Sequence, residues 1–424
     1  MIVAGETRVP GDKSITHRAL LFAAMGRGTS YLGGALTSLD ARSSASVLRR
    51  LGAPVSPLVA GRVVRIEGRG RFSPPTGVLH CGNSGTTTRL LLGLLAAHRF
   101  PVTLTGDASL RRRPMRRVTV PLAMMGARIV DGESDGLPLT IRGGRLTSLR
   151  YELPVSSAQI KSCLLLAAMA GKVPVSLREP HGRSRDHTER MLRGFGFTVN
   201  ERDGWIEFSP DSSVPAFDMQ VPGDPSSAAF LLGAALLAEA GSLAITGVGL
   251  NPTRIGFLSV LAGMGGTVAQ EKTHEEGGEP VGTLTARPSD LRGVEVGAAE
   301  IPGLIDEIPL LAILASRARG TTIFREAGEL RVKESDRLGL LAANLRAVGS
   351  QAEVRGEDLW IEGGEIPPAG RVKTAGDHRL AMAFAVLGTV PGAGIRIDDL
   401  ACAEVSFPGF GAALRSIRAR RSRG

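Results

Sequence analysis

Cysteine is scarce, with 3 in 424 residues. Cys81, Cys163 and Cys402 are scattered and form no CxxC pair, which argues against a disulfide framework and for a reducing, cytoplasmic setting. Aromatic residues make up only 4% of the chain, too few to build stacking platforms for single-stranded nucleic acid. The net charge of +10 therefore needs another explanation. No apolar run reaches the roughly 18 residues that would span a bilayer. The opening Met1-Ile2-Val3-Ala4-Gly5-Glu6 lacks the basic start and apolar core of a signal peptide, so neither export nor a membrane partner is expected. The 7 histidines are dispersed, and Asp186-His187-Thr188-Glu189 does not have HExxH spacing, so no metal site is expected.

What is present is a globular composition, 43% hydrophobic and 22% charged. The chain is too long for one ordinary core, and two domains fit it. Val9-Pro10-Gly11-Asp12-Lys13-Ser14-Ile15-Thr16-His17-Arg18 reads as a turn followed by a helix that starts at Ser14 and runs to residue 26. Lys13 and Arg18 flank its first turn, where unpaired N–H groups and the helix dipole favour an anion. A polar cluster before an apolar run recurs six times, at positions 14, 84, 157, 226, 306 and 377, in steps of 70, 73, 69, 80 and 71 residues. That period fills the chain. Glycines 52, 126, 196, 265 and 349 each follow a helix-like stretch and read as C-caps. Val9-Pro10-Gly11-Asp12 is echoed by Val221-Pro222-Gly223-Asp224 at an offset of 212, half the chain, which gives two homologous halves of three units.

The later units add more polar groups at helix starts. Leu39 to Leu51 reads as a helix capped by Asp40, and residues 61–67 alternate like a strand. Cys81-Gly82-Asn83-Ser84-Gly85-Thr86 has the composition of a phosphate loop without the Walker pattern, and a plain glycine-rich turn explains it equally well. Among five arginines between 111 and 117, Arg113 before Pro114 is the candidate ligand, the rest being surface charge. Ser157 and Gln159 stand at a helix mouth, and Ser184 and Arg185 precede another. Asp306 is either a cap or a general base. In Glu329-Leu330-Arg331-Val332-Lys333-Glu334-Ser335-Asp336-Arg337, a helix would put Lys333 and Arg337 on one face with Glu334 beside Arg337. Such a run is usually an exposed, salt-bridged helix. Asp377-His378-Arg379 adds a last cation, and the basic tail from Arg415 to Arg423 reads as a solvated helix end. Seven cations and the acids Asp306 and Glu334 thus point to a transferase that holds two small polyanions together.

At Gly11–Ala19, Gly82–Thr86, Arg113–Met115, Ser157–Gln159, Ile305–Glu307, Lys333–Arg337 and Asp377–Arg379 the chain resembles the EPSP synthase family, the 3-phosphoshikimate 1-carboxyvinyltransferases. The resemblance implies an α/β enolpyruvyl transferase fold of two similar domains, an inverse α/β barrel. Each domain has three βαβαββ repeats with inner helices and outer sheets. Boundaries at 12–223 and 224–424, the second including strand 1–11, are expected, with the active site in a cleft between the two. It implies transfer of the enolpyruvyl group of phosphoenolpyruvate to the 5-hydroxyl of shikimate 3-phosphate, with release of phosphate, by a cytoplasmic monomer that needs no metal or organic cofactor. Shikimate 3-phosphate is expected to meet Lys13, Ser14, Arg18, Ser157, Gln159, Ser184, Arg185, Asp306 and Lys333. Phosphoenolpyruvate is expected to meet Lys13, Gly85, Arg113, Gln159, Arg337 and Arg379, and Asp306, Glu334 and Lys13 to be catalytic.

Two positions depart from relatives. Val405-Ser406-Phe407-Pro408 lacks the lysine some members carry there, and Glu329 stands where some have asparagine, so neither role is transferred. The unsubstituted Gly85 implies inhibition by glyphosate in competition with phosphoenolpyruvate. The alternatives are the enolpyruvyl transferase that acts on UDP-N-acetylglucosamine and a repeat-built nucleic-acid-binding protein. The first usually carries a loop cysteine, absent between Gly106 and Met115, and the second predicts steeply salt-dependent binding.

Overall fold

The computed structural model describes residues 1–131, 135–180 and 182–419. The chain divides into two compact units. One holds Gly11–Val221 with the hairpin tip Glu275–Glu279; the other holds Met1–Pro10, Pro222–His274 and Pro280–Gly424. Each has its own core: one hydrophobic cluster runs from Ile15 to Val221, and a second joins Val3 to residues between Ala228 and Ile417.

In the first unit a six-element repeat is plain. Strand Leu79–His80, helix Gly85–Leu95, strand Pro101–Thr105, helix Arg116–Met124 and strands Arg128–Asp131 and Leu139–Arg142 follow in order. The first two strands pair in parallel, and the hairpin adds antiparallel strands beyond them. A parallel pair needs a crossover, and the helix supplies it. The pattern recurs from Leu149–Glu152 to Trp205–Phe208, with helices Ala158–Gly171 and His187–Gly194. The remaining sheet is Asp218–Gln220, Arg27–Gly33 and Val64–Arg69, whose opening strand comes from the end of the unit instead of its start.

The second unit repeats the plan. Ile2–Thr7 lies parallel to Ala240–Gly249 and completes that sheet, so the N-terminal strand serves the later half of the chain. Glu295–Val296, Thr321–Phe324, Asp358–Glu362 and Gln351–Arg355 make the next sheet. Ala369–Val372 and Gly394–Ile397 form a parallel pair only. Helix Ala158–Gly171 in the first unit is buried at every position from Ile160 to Met169, Lys161 and Ser162 included, and its apolar run from Cys163 to Ala170 leaves no polar face. It packs on Gly85–Leu95, where a Cβ on Gly93 would stand 2.1 Å from the Cys163 carbonyl oxygen. Only glycine admits that approach.

Several local expectations shift. The first helix is Lys13–Met25, capped by Asp12 and not Ser14, because the Asp12 carboxylate accepts the Ile15 N–H at 2.8 Å. Ser38, not Asp40, caps Leu39–Arg50, and the strand expected at 61–67 is Val64–Arg69. The 329–337 stretch is not one helix. A 3₁₀ turn, Ala327–Val332, stops at Lys333, and a new helix, Arg337–Ala347, starts under an Asp336 cap. Glycines 52, 126, 196, 265 and 349 all have φ between 84° and 107°, the left-handed conformation a C-cap requires. All three cysteines are free. The last tail arginines, Arg420, Arg421 and Arg423, lie outside the described residues.

Candidate active site

In the first unit the nominated side chains converge through helix starts. Arg18, buried one turn into its helix, donates from Nε to Thr188 Oγ1 at 2.7 Å and from Nη2 to Ser162 Oγ at 2.7 Å. Burial lowers its guanidinium to about 10, against the pull of Glu189 and Asp12. Lys13 Nζ pairs with Asp40 Oδ2 at 2.8 Å, which points its ammonium from the same turn. Arg185 Nη1 reaches Ser14 Oγ at 3.5 Å, so Lys13, Ser14, Arg18 and Arg185 form one group. Ser184 lies beside them. Its N–H donates to Glu179 Oε2 at 3.2 Å, its carbonyl accepts from Lys161 Nζ at 3.3 Å, and its buried hydroxyl has no partner among the described residues.

A second group gathers around Gly85. Arg113 Nη2 donates to Asn83 Oδ1 at 2.7 Å, and its guanidinium lies 3.2 Å from where a Gly85 Cβ would be. Gln159 accepts from Arg89 Nη1 and donates from Nε2 to Thr86 Oγ1 at 3.1 Å. Ser157 is the N-cap residue of its helix, yet its side chain makes no capping bond.

In the second unit Asp306, Glu334, Arg337 and Arg379 meet, and Lys333 lies within electrostatic reach of the first three. Arg337, fully buried, donates from Nε to Asp377 Oδ2 at 2.9 Å, pairs with Glu334 through Nη2, and holds Asp306 Oδ1 at 3.6 Å. Burial opposes its charge, but Asp377, Glu334 and Asp306 hold the guanidinium above its ordinary range. Arg379 Nη2 lies 3.4 Å from Asp306 Oδ2, and its Nη1 donates to the Asp306 carbonyl at 2.8 Å. Lys333 Nζ is 3.6 Å from Glu329 Oε1. Burial lowers its ammonium, partly offset by Glu329 and Asp306. The Glu334–Arg337 contact forms across the break between the 3₁₀ turn and the helix.

Other residues support these groups without having been nominated. Lys161, 1% exposed, lies 3.0 Å from Glu179 and 2.8 Å from Glu189, and the two carboxylates outweigh burial to raise its ammonium. Arg254 donates to Asp224 Oδ1 at 3.1 Å and Ser226 Oγ at 2.8 Å, and Ser226 bonds Glu307. A signal for Arg89 and Lys161 was visible, since each is a cation inside an apolar helix run. Nothing local marked Glu179, Glu189 or Arg254.

Among the described residues no group of three His, Cys, Asp or Glu is placed to hold a metal ion, and no helix is long and apolar enough to cross a membrane. The groups bring cations together with hydroxyls in the first unit and with carboxylates in the second, and such cations suit phosphate and carboxylate.

The profile of the EPSP synthase (3-phosphoshikimate 1-carboxyvinyltransferase) family matches residues 2–414. A 3-phosphoshikimate 1-carboxyvinyltransferase of Gluconobacter oxydans (strain 621H) is 46% identical over 415 residues, 96% of this chain and 94% of that one. One of Xanthomonas oryzae pv. oryzae (strain PXO99A) is 44% identical, covering 96% and 92%. Among solved structures, an EPSP synthase of Acinetobacter baumannii superposes with a TM-score of 0.85 at 37% identity, covering 98% of this chain and 96% of that one. The enolpyruvyl transferase NikO of Streptomyces tendae, at 18% identity, covers 98% and 95% with a TM-score of 0.76 and shares the fold. With this likeness running the length of both units, the chain belongs to the EPSP synthase family.

Proposed function

We propose that this chain transfers the enolpyruvyl group of phosphoenolpyruvate to the 5-hydroxyl of shikimate 3-phosphate, releasing phosphate. The observation that carries the reading is the cluster in the second unit, where Asp306 sits within 3.6 Å of Arg337, which also pairs with Glu334 and Asp377, and of Arg379, which also faces Glu307. A carboxylate braced this way is oriented for proton abstraction while the cations remain available to an anion. Asp306 takes the proton of the 5-hydroxyl. Glu334 with Lys13 moves the proton at the enol carbon and at the departing phosphate. Protonation of the enol carbon makes an oxocarbenium-like centre, the hydroxyl adds as it gives up its proton, and phosphate leaves the tetrahedral adduct as the methyl group returns a proton and the vinyl double bond re-forms.

Binding divides by chemistry. Shikimate 3-phosphate is assigned to Lys13, Ser14, Arg18, Ser157, Gln159, Ser184 and Arg185, with Asp306 and Lys333. The buried Ser184 hydroxyl, without a partner among the described residues, supports its place in that set. Phosphoenolpyruvate is assigned to Lys13, Gly85, Arg113, Gln159, Arg337 and Arg379, since guanidinium forks pair bidentately with phosphate and carboxylate. Both sets serve one substrate pair and come from one chain, so the reading needs no second copy.

The test is phosphate release from phosphoenolpyruvate with either shikimate 3-phosphate or UDP-N-acetylglucosamine as acceptor. Turnover only with the first is expected, and Asp306→Asn should lower kcat by about 10²–10⁴-fold. Turnover only with the UDP-sugar overturns the acceptor assignment. An unimpaired Asp306→Asn enzyme overturns the base assignment.

A further inference from the structure

One buried chain of polar groups has no part in the scheme above. His17 Nδ1 is 2.8 Å from Ser44 Oγ, Ser44 Oγ is 2.7 Å from Thr87 Oγ1, and Thr87 Oγ1 donates to Ser84 Oγ at 2.7 Å. All four residues are at most 1% exposed. The chain begins on the helix that presents Lys13, Ser14 and Arg18, crosses the Leu39–Arg50 helix, and ends at the cap of Gly85–Leu95.

Counting protons fixes its direction. A hydroxyl has one proton to give. Thr87 spends its proton on Ser84, whose oxygen also accepts the Thr87 N–H at 3.1 Å. Ser44 must then donate to Thr87, and the proton between His17 and Ser44 must come from Nδ1. The other ring nitrogen, Nε2, is buried with no partner among the described residues. As a bare lone pair it is tolerable there; as an N–H it would be an orphaned donor. Burial, with the charges of Lys13 and Arg18, pushes the imidazole down to about 3, so it stays neutral and a second proton does not compete.

We propose that His17, as the Nδ1–H tautomer, is a positioning residue that aligns Ser44 and Thr87 and thereby sets the Asn83–Gly85 loop that receives phosphoenolpyruvate. The loop is the responsive end because Ser84 joins Asn83, which holds Arg113, to Gly85. The helix at the other end is separately anchored by the Asp12 cap and the Arg18 hydrogen bonds. The kinetic arm rests on the proposed reaction; the tautomer arm does not.

Nitrogen-15 NMR of the full-length enzyme, labelled at histidine, should show His17 protonated at Nδ1 and bare at Nε2; a proton on Nε2 instead overturns the ordered chain. In steady-state kinetics Ser44→Ala and His17→Leu should each raise the KM for phosphoenolpyruvate about fivefold, the effect of one ordinary hydrogen bond. The KM for shikimate 3-phosphate should stay within about twofold, and the double variant should be no worse than the worse single, since both cut one chain. His17→Asn, whose amide can place a donor near Nδ1, should restore the wild-type value. If both KM values rise together, or the single effects multiply, the residue is merely structural and the proposal fails. Ser44→Ala alone decides this should His17→Leu not fold. A wild-type enzyme that releases no phosphate would sink the reaction while leaving the tautomer test intact.

Discussion

Replacing Asp377 by asparagine removes one charge and almost no volume. The Asp377 carboxylate accepts from Arg337 Nε at 2.9 Å, from Ser335 Oγ at 3.0 Å and from the Arg379 N–H at 2.9 Å. An asparagine oxygen can keep the cap, but Arg337 then loses its closest fully buried counter-charge. Breaking a buried pair by neutralising one partner costs about 3–5 kcal/mol. Glu334 and Asp306 remain beside Arg337, so about 3 kcal/mol is the reasoned value. For a unit of this size that is a fall of about 6–12 °C in the calorimetric transition. Arg337 should also relax, raising the KM for phosphoenolpyruvate. Acid adds a signed check. Burial raises the Asp377 carboxyl, but Arg337 outweighs it and holds the group below its ordinary range. Its contribution is therefore present above about pH 4 and lost as pH falls through the folded value, so the gap between wild type and Asp377→Asn should narrow only below about pH 4. A transition moved by less than about 2 °C at neutral pH, against the 2–4 °C expected per kcal/mol, would refute the claim that this pair holds the site together.

Three further outcomes can be measured. Gly93→Ala should fail to fold or lose several kcal/mol, because its Cβ would lie 2.1 Å from backbone and neither inner helix can yield cheaply; a calorimetric transition within 2 °C of wild type, where about 2–4 °C is expected per kcal/mol, contradicts it. Lys161→Met should cost about 3–5 kcal/mol by leaving Glu179 and Glu189 buried together, and adding Glu189→Gln should recover part of that loss in chemical denaturation. Gly85→Ala would set a methyl 3.2 Å from Arg113 Nη1 and 3.4 Å from Arg89 Nη1, so it should raise the KM for phosphoenolpyruvate and weaken glyphosate, while wild type is inhibited competitively. Undiminished wild-type turnover at millimolar glyphosate and low phosphoenolpyruvate rules that out.

Much of the candidate site was legible because its parts sit at helix starts, where polar residues interrupt an apolar pattern. Ser84, Ser157, Asp224, Glu307 and Asp377 are all N-cap residues, two steps or less from the repeat markers. Errors of two residues arose where two cap-type residues lie close together, as with Asp12 and Ser14 or Ser38 and Asp40, because the capping bond and not residue type decides. The break at Lys333 was missed because charge spacing imitates a helix face whether or not the backbone is helical.

From the amino-acid order alone came the six-fold period, the glycine stops and the roster of cations and acids, since these depend on local rules of capping, dihedral freedom and polarity. The family resemblance already put strand 1–11 with the second half, but only the tertiary structure decided its partner and register, Ile2–Thr7 on Ala240–Gly249, and the return of Asp218–Gln220 to Arg27–Gly33, because sheet pairing joins residues far apart in the chain. It also set the acid–cation pairings other than Glu334 with Arg337, which their i,i+3 spacing already put together. Lys161 between Glu179 and Glu189, and Arg337 against Asp377, are partnerships made by burial, where a charge must find its counter-charge across sequence distance or not be buried at all.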